Sequence, residues 1–150
     1  MADTYTKRYG ILKLTERLID MTVSMIRCRA APFEDIIRAA AEDKELSSLG
    51  AVSGAMDRLR EGYSDLRDIW RESLDATRPS FMKEDEYNIL AEYGRSVGTT
   101  DIQGQLICLD NLRTSLAPLI KEAYTERKEK TKLCRSMGML IGLMAAVILI

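Results

Sequence analysis

Glu84, Asp85 and Glu86 stand together in mid-chain. Adjacent carboxylates could share general acid and base work. A proton-transfer site of the usual kind needs more than that, and the rest of it is missing. The 150 residues contain no histidine, which removes the commonest general base and the commonest metal ligand. A Ser-His-Asp or Cys-His arrangement is therefore impossible. Gly50 to Gly54 is not followed by Lys-Ser or Lys-Thr, so no phosphate-cradling loop is present, and no Gly-x-Ser-x-Gly elbow occurs. Cys28, Cys108 and Cys134 have no metal-ligand spacing and are odd in number, which argues for reduced, semi-buried thiols rather than a disulfide framework. A solvated helix N-terminus accounts for the three carboxylates better than catalysis does. The expectation is a protein without enzymatic activity, metal or cofactor. The formal net charge of −1 supplies no broad basic field for nucleic acid.

The elements that would position these residues read as helices. Three prolines, few aromatics and no strictly alternating stretch point away from strands. A first helix runs from about residue 4 or 9 to Arg29, with Ile11, Leu14, Leu18, Met21 and Met25 as its apolar stripe. Pro32 opens a second, short helix with Phe33, Ile36, Ile37 and Ala40 inward and Glu34 and Asp35 at its positive end. Ser47 or Ser48 can cap a third, carrying Leu49, Val52, Met56 and Leu59 and closed by Gly62. Ser64 can cap a fourth, with Leu66, Ile69, Trp70 and Leu74 on one face. Trp70 is expected in the core rather than at a binding surface. Pro79 ends that segment, and Ser80 precedes a fifth helix with Ile89, Leu90, Tyr93 and Val97 inward. Gly98 suits its C-cap. Asp101 suits the N-cap of a last helix with Leu106, Leu109, Leu112, Leu116 and Leu119 at packing intervals and a kink at Pro118. The fold class is all-α, an antiparallel bundle of about six helices with a C-terminal transmembrane helix.

The tail organises the chain. From Met137 onward no side chain is charged, and residues 133–150 as a helix cover about 27 Å, close to the thickness of a bilayer's hydrocarbon core. Arg135 lies near the start, where its stem can carry the charge back to the headgroups. Lys128, Lys130 and Lys132 precede it as a basic collar of the kind that stays on the cytoplasmic side. Residues 1–132 are thus read as a cytoplasmic helical domain and 133–150 as its membrane anchor, with lipid as a partner. The competing reading is a buried core helix, which would keep a polar face. Gly138, Gly142 and Ala146 recur every fourth residue and form a small-residue stripe on which another membrane helix, including that of a second copy, could pack closely.

The C-terminal half contains Glu92 to Gly98 ending a helix, Asp101 and Gln105 opening a leucine-spaced one, a mixed-charge run, and Leu133 to Gly138 before Gly142 and an apolar ending from Val147. Ala31 to Phe33 before a short helix and Gly62 leading to Trp70 complete the order. This resembles the stage III sporulation protein AB family of endospore-forming bacteria, over nearly the whole chain from about Leu14. The resemblance implies a helical domain similar to the cytoplasmic domains of type II secretion and type IV pilus platform proteins. It implies a place in the mother-cell membrane around the forespore. It also implies work with a secretion-type ATPase, stage III sporulation protein AA, and with other proteins of the channel joining the two cells. Family members begin with another membrane span. Here the chain leads from Met1 straight to Lys7 and Arg8, charges that would suit the cytoplasmic flank of such a span. An upstream gene start, a trimmed chain and a single-anchor member all account for this.

A rival of another class is a tail-anchored regulator that binds a partner helix in an apolar groove, as apoptosis regulators do. The Asn-Trp-Gly-Arg signature of those proteins is absent, since Arg71 and Glu72 follow Trp70. A groove lined by exposed Leu or Ile would favour it.

Overall fold

The first helix, α1 (Ala2–Arg29), is long because nothing in its sequence stops it before Ala30. There the backbone turns left-handed at φ 46°, with the Ala30 N–H bonding to Ile26 O and the Ala31 N–H to Met25 O. In this computed structural model, residues 2–62, 65–97 and 101–149 are described. Among them are six α-helices, one 3₁₀ turn and no strand. After α1 come α2 (Phe33–Glu42), the 3₁₀ turn Leu46–Ser48, α3 (Gly50–Arg60), α4 (Leu66–Thr77), α5 (Glu84–Val97) and α6 (Ile102–Leu149). The protein is an all-α bundle with a long apolar C-terminal helix. The α1 and α6 helices pack along one another most extensively, α3 and α4 pair next, and α5 lies against α6 and α4. Asp20 of α1 meets Arg113 of α6, and Arg8 meets Glu126, so the two long helices run antiparallel.

Side-chain spacing decides which faces are buried. The inward residues of α2 are Phe33, Ile36, Ile37 and Ala40, and those of α5 include Ile89, Leu90, Tyr93 and Val97. Both sets follow the helical period. The buried face of α1 is broader than its aliphatic stripe. Leu12, Thr15, Leu18, Ile19, Thr22, Met25 and Ile26 are all buried, while Ile11, Leu14 and Met21 are only partly so. The two threonines are tolerated inside because their hydroxyls donate back to Ile11 O and Leu18 O.

At the core's centre, Trp70 is 1% exposed and donates its Nε1–H to Leu90 O at 2.8 Å. Its ring lies 5.1 Å from Tyr93 and 6.1 Å from Phe33, centroid to centroid. Gly94 makes this stack possible, since a Cβ there would stand 2.3 Å from Trp70 Cδ1.

Several local expectations change. Ser47 and Ser48 do not cap α3. They fall in the 3₁₀ turn, and the N-cap is Leu49, without a side-chain bond. The reason lies at Asp43, whose carboxylate accepts from the Glu45 and Leu46 N–H groups and so nucleates that turn. Ser64 lies outside the described residues. The cap on α4 is Asp65, accepting from the Arg67 N–H at 3.0 Å. Gly98 also lies outside them. Gly62 ends α3 with φ 92°, its N–H bonding to Leu59 O. Asp101 accepts from the Gln103 N–H, and its own carbonyl accepts from Gln105. The three cysteines are exposed rather than semi-buried. Helix α6 runs on through Pro118 to Leu149 as one element, the continuous helix expected of a mixed-charge run leading into the apolar tail.

Glu86 is not at a solvated helix end. It is 3% exposed and forms an ion pair with Arg8, itself 4% exposed. Its second oxygen accepts from the Lys83 N–H, the reach-back half of a capping box at the start of α5. Arg8 also bonds to Glu126 of α6 at 2.5 Å. This residue is thus a buried clamp among three helices, not a solvated membrane flank. No spacing rule links residues 8, 86 and 126. Only the antiparallel packing does.

Candidate membrane-facing site

Along α6 the burial pattern stops. Leu109, Leu112, Leu116 and Ala123 are buried, and from Lys128 to Leu149 every side chain is exposed. The core of the bundle closes without the tail. Met139, Leu140, Ile141, Leu143, Met144, Val147, Ile148 and Leu149 all stand free of the fold. Among the described residues this one helix is long and apolar enough to cross a membrane, and none of its most apolar window is buried. A core helix would be covered. Gly138 and Gly142 have no atom within 4 Å of where a Cβ would stand, and Ala146 is exposed, so the small-residue stripe faces no part of its own bundle.

The basic collar divides. Successive residues of a helix are rotated by about 100°, so Lys128 and Lys130 point to different sides. Lys128, Lys132 and Arg135, with Tyr124, Arg127 and Thr131, line one surface cleft of about 450 Å³. Lys130 turns away from it and lies 5.7 Å above the Tyr5 ring of α1. Arg127 stacks 4.8 Å from the centre of the Tyr9 ring, and Tyr9 in turn lies 5.8 Å from Tyr124. The aromatic residues at the start of α1 therefore hold part of the collar against the bundle. Tyr5, Tyr9 and Tyr124 escaped the sequence reading because their partners lie on the opposite long helix. A helical wheel of α6 alone shows the 124, 128, 131, 135 spacing.

Other clefts lie elsewhere on the bundle, one of about 670 Å³ between α1 and the 3₁₀ turn, lined by Lys13, Glu16, Arg17, Asp20, Lys44 and Glu45. One of about 240 Å³ is apolar and lies between α3, α4 and α5, but its Leu49, Leu74, Met82 and Leu90 side chains are buried. It is not a groove of exposed Leu or Ile. Another, between α4 and α5, is lined by Arg67, Asp68, Arg71 and Arg95 beside Trp70. Among the described residues no cluster of His, Cys, Asp or Glu could hold a metal ion. Tyr93 has a phenol pushed well above its ordinary pKa by burial. Its hydroxyl lies 2.7 Å from Thr22 Oγ1. The single Thr22 hydrogen goes to Leu18 O, so the phenol is the donor in that pair, which suits a structural hydrogen bond.

A family model described as stage III sporulation protein AB matches residues 1–150. Stage III sporulation protein AB of Bacillus subtilis (strain 168) is 22% identical over 150 residues, covering 99% of this chain and 88% of that protein. A solved structure of stage III sporulation protein AB (SpoIIIAB) superposes with a TM-score of 0.67 at 18% identity, over 82% of this chain and 98% of that one. At such identity the superposition speaks for the fold.

Proposed function

The chain belongs to the stage III sporulation protein AB family, and from that premise we propose that it is a non-catalytic membrane component of the sporulation apparatus between mother cell and forespore. Residues 133–150 anchor it in the mother-cell membrane, and residues 1–132 form a bundle in the cytoplasm. The charged bundle surface docks a companion secretion-type ATPase, stage III sporulation protein AA, while the face bearing Gly138, Gly142 and Ala146 packs on another membrane helix. The observation that carries this reading is the bare apolar end of α6, which leaves a core already closed without it. Burying such a surface in lipid removes the exposed patch that a soluble protein of this size would not tolerate.

Removing residues 133–150 tests it. The shortened protein is expected in the soluble fraction, with the helical circular dichroism of its bundle retained and the ATPase still co-isolating with it. A shortened protein that stays with the membrane removes the anchor. One that is soluble and folded but no longer retains the ATPase removes the docking role of the bundle.

A further inference from the structure

We propose that the cleft at the membrane end of α6 is a binding site for the phosphate of an anionic phospholipid headgroup. The inference rests on the anchor reading above and adds the class of lipid. Of its six lining residues four are cationic, none is acidic, and Tyr124 and Thr131 add hydroxyls. On a helical wheel, with about 3.6 residues per turn, these six occupy roughly 140° of arc, and Glu122, Glu126 and Glu129 fall on the other side. Glu126 is already engaged by Arg8 and Lys83. Charge is thus segregated along this stretch, although the run from Lys121 to Lys132 is mixed when read linearly. Among the described residues Lys128, Lys132 and Arg135 form no ion pair with a carboxylate.

Height along the helix selects the ligand. From Lys128 to Arg135 the axis rises about 10 Å, and the headgroup layer of one leaflet is roughly 5–8 Å deep. With residues 133–150 in hydrocarbon, Lys132 lies at the headgroup boundary, Lys128 about 7 Å outside it, and the long Arg135 stem carries its charge back to the level of the lipid phosphates. A soluble phosphate would gain nothing from that placement. A lipid phosphate is held there at high local concentration by its own acyl chains.

The test uses the full chain in mild detergent, titrated with dioleoyl phosphatidylglycerol or dioleoyl phosphatidylcholine and read by native mass spectrometry. Phosphatidylglycerol adducts are expected to dominate and to survive millimolar inorganic phosphate. Lys132→Gln is expected to weaken them about fivefold. The triple variant Lys128→Gln, Lys132→Gln, Arg135→Gln is expected to erase the preference. A control triple, Arg27→Gln, Arg29→Gln, Lys44→Gln, makes the same charge change elsewhere and should leave it intact. Equal binding of both lipids, equal loss in the control, or displacement by inorganic phosphate each overturns the headgroup site. Alkaline extraction from vesicles of each lipid separates this from the anchor reading. Retention in both, together with equal binding of the two lipids in the mass spectra, ends the headgroup site alone, whereas release from both ends the anchor and the site together.

Discussion

The tightest constraint at the level of single residues is the stack around Trp70. Adding one methyl at Gly94 places a carbon 2.3 Å from Trp70 Cδ1, and the Phe33 and Tyr93 rings already pack against the indole. Gly94→Ala is expected to cost about 1–3 kcal/mol by overpacking. It can be read in a urea titration of the full chain in detergent through the fluorescence of Trp70, the one tryptophan present. Tyr93 makes a second prediction, with a sign set by its raised pKa. The buried phenol stays protonated in the fold, whereas the unfolded chain ionises near the ordinary value of 10.0. Stability contributed this way is complete below that value and is lost as pH rises past it towards the folded pKa. Tyr93→Phe should lose about 1 kcal/mol at neutral pH with the hydrogen bond, yet show a flatter decline in stability above pH ~10 than the parent. A decline as steep as the parent's would place the alkaline sensitivity elsewhere.

Between elements, the joint that matters is Arg8 with Glu86 and Glu126, which ties α1 to α5 and α6. Both members of its inner pair are almost fully buried, so removing Arg8 leaves the Glu86 carboxylate buried with only the Lys83 N–H and no counter-ion. Arg8→Met is expected to destabilise the bundle by about 3–5 kcal/mol. The double change Arg8→Met, Glu86→Leu should recover more than half of that, because Arg8 Nη2 is buried without a hydrogen-bond partner among the described residues and an apolar pair carries no such penalty. A double variant as unstable as the single one would show that Glu86 acts mainly by capping α5. Helix identity could be seen in local periodicity. The clamp could not, because its members are separated by 78 and 118 positions.

For the whole molecule, the notable feature is that one helix belongs to two environments. The first part of α6 is packed by Leu109, Leu112 and Leu116, and the last part is bare. The bundle and the bare apolar end are therefore joined without a loop, and rotation of the tail about its axis is coupled to the bundle. This coupling gives the Gly138, Gly142, Ala146 stripe a fixed bearing relative to the rest. Gly142→Ile, which replaces an open site with a branched side chain, is expected to weaken association of the anchor with itself or a partner span in a membrane two-hybrid assay, while leaving membrane extraction unchanged. An unaltered signal would remove the stripe from the assembly.

What the sequence by itself determined was whatever depends on neighbours a turn away: the helices, the inward faces of α2 and α5, the Asp101 cap, and a tail too long and too apolar to leave in water. Periodicity and solvation are local properties, and they survive being read one residue at a time. Tertiary structure alone decided which charges are paired, since that depends on which surfaces the antiparallel helices bring into contact. It buried Arg8 and Glu86 and set Lys130 over Tyr5, whereas Lys128, Lys132 and Arg135 share one face by helical spacing alone. The physical reason is that a salt bridge or a cation over a ring needs a few ångströms of proximity, which chain order does not encode.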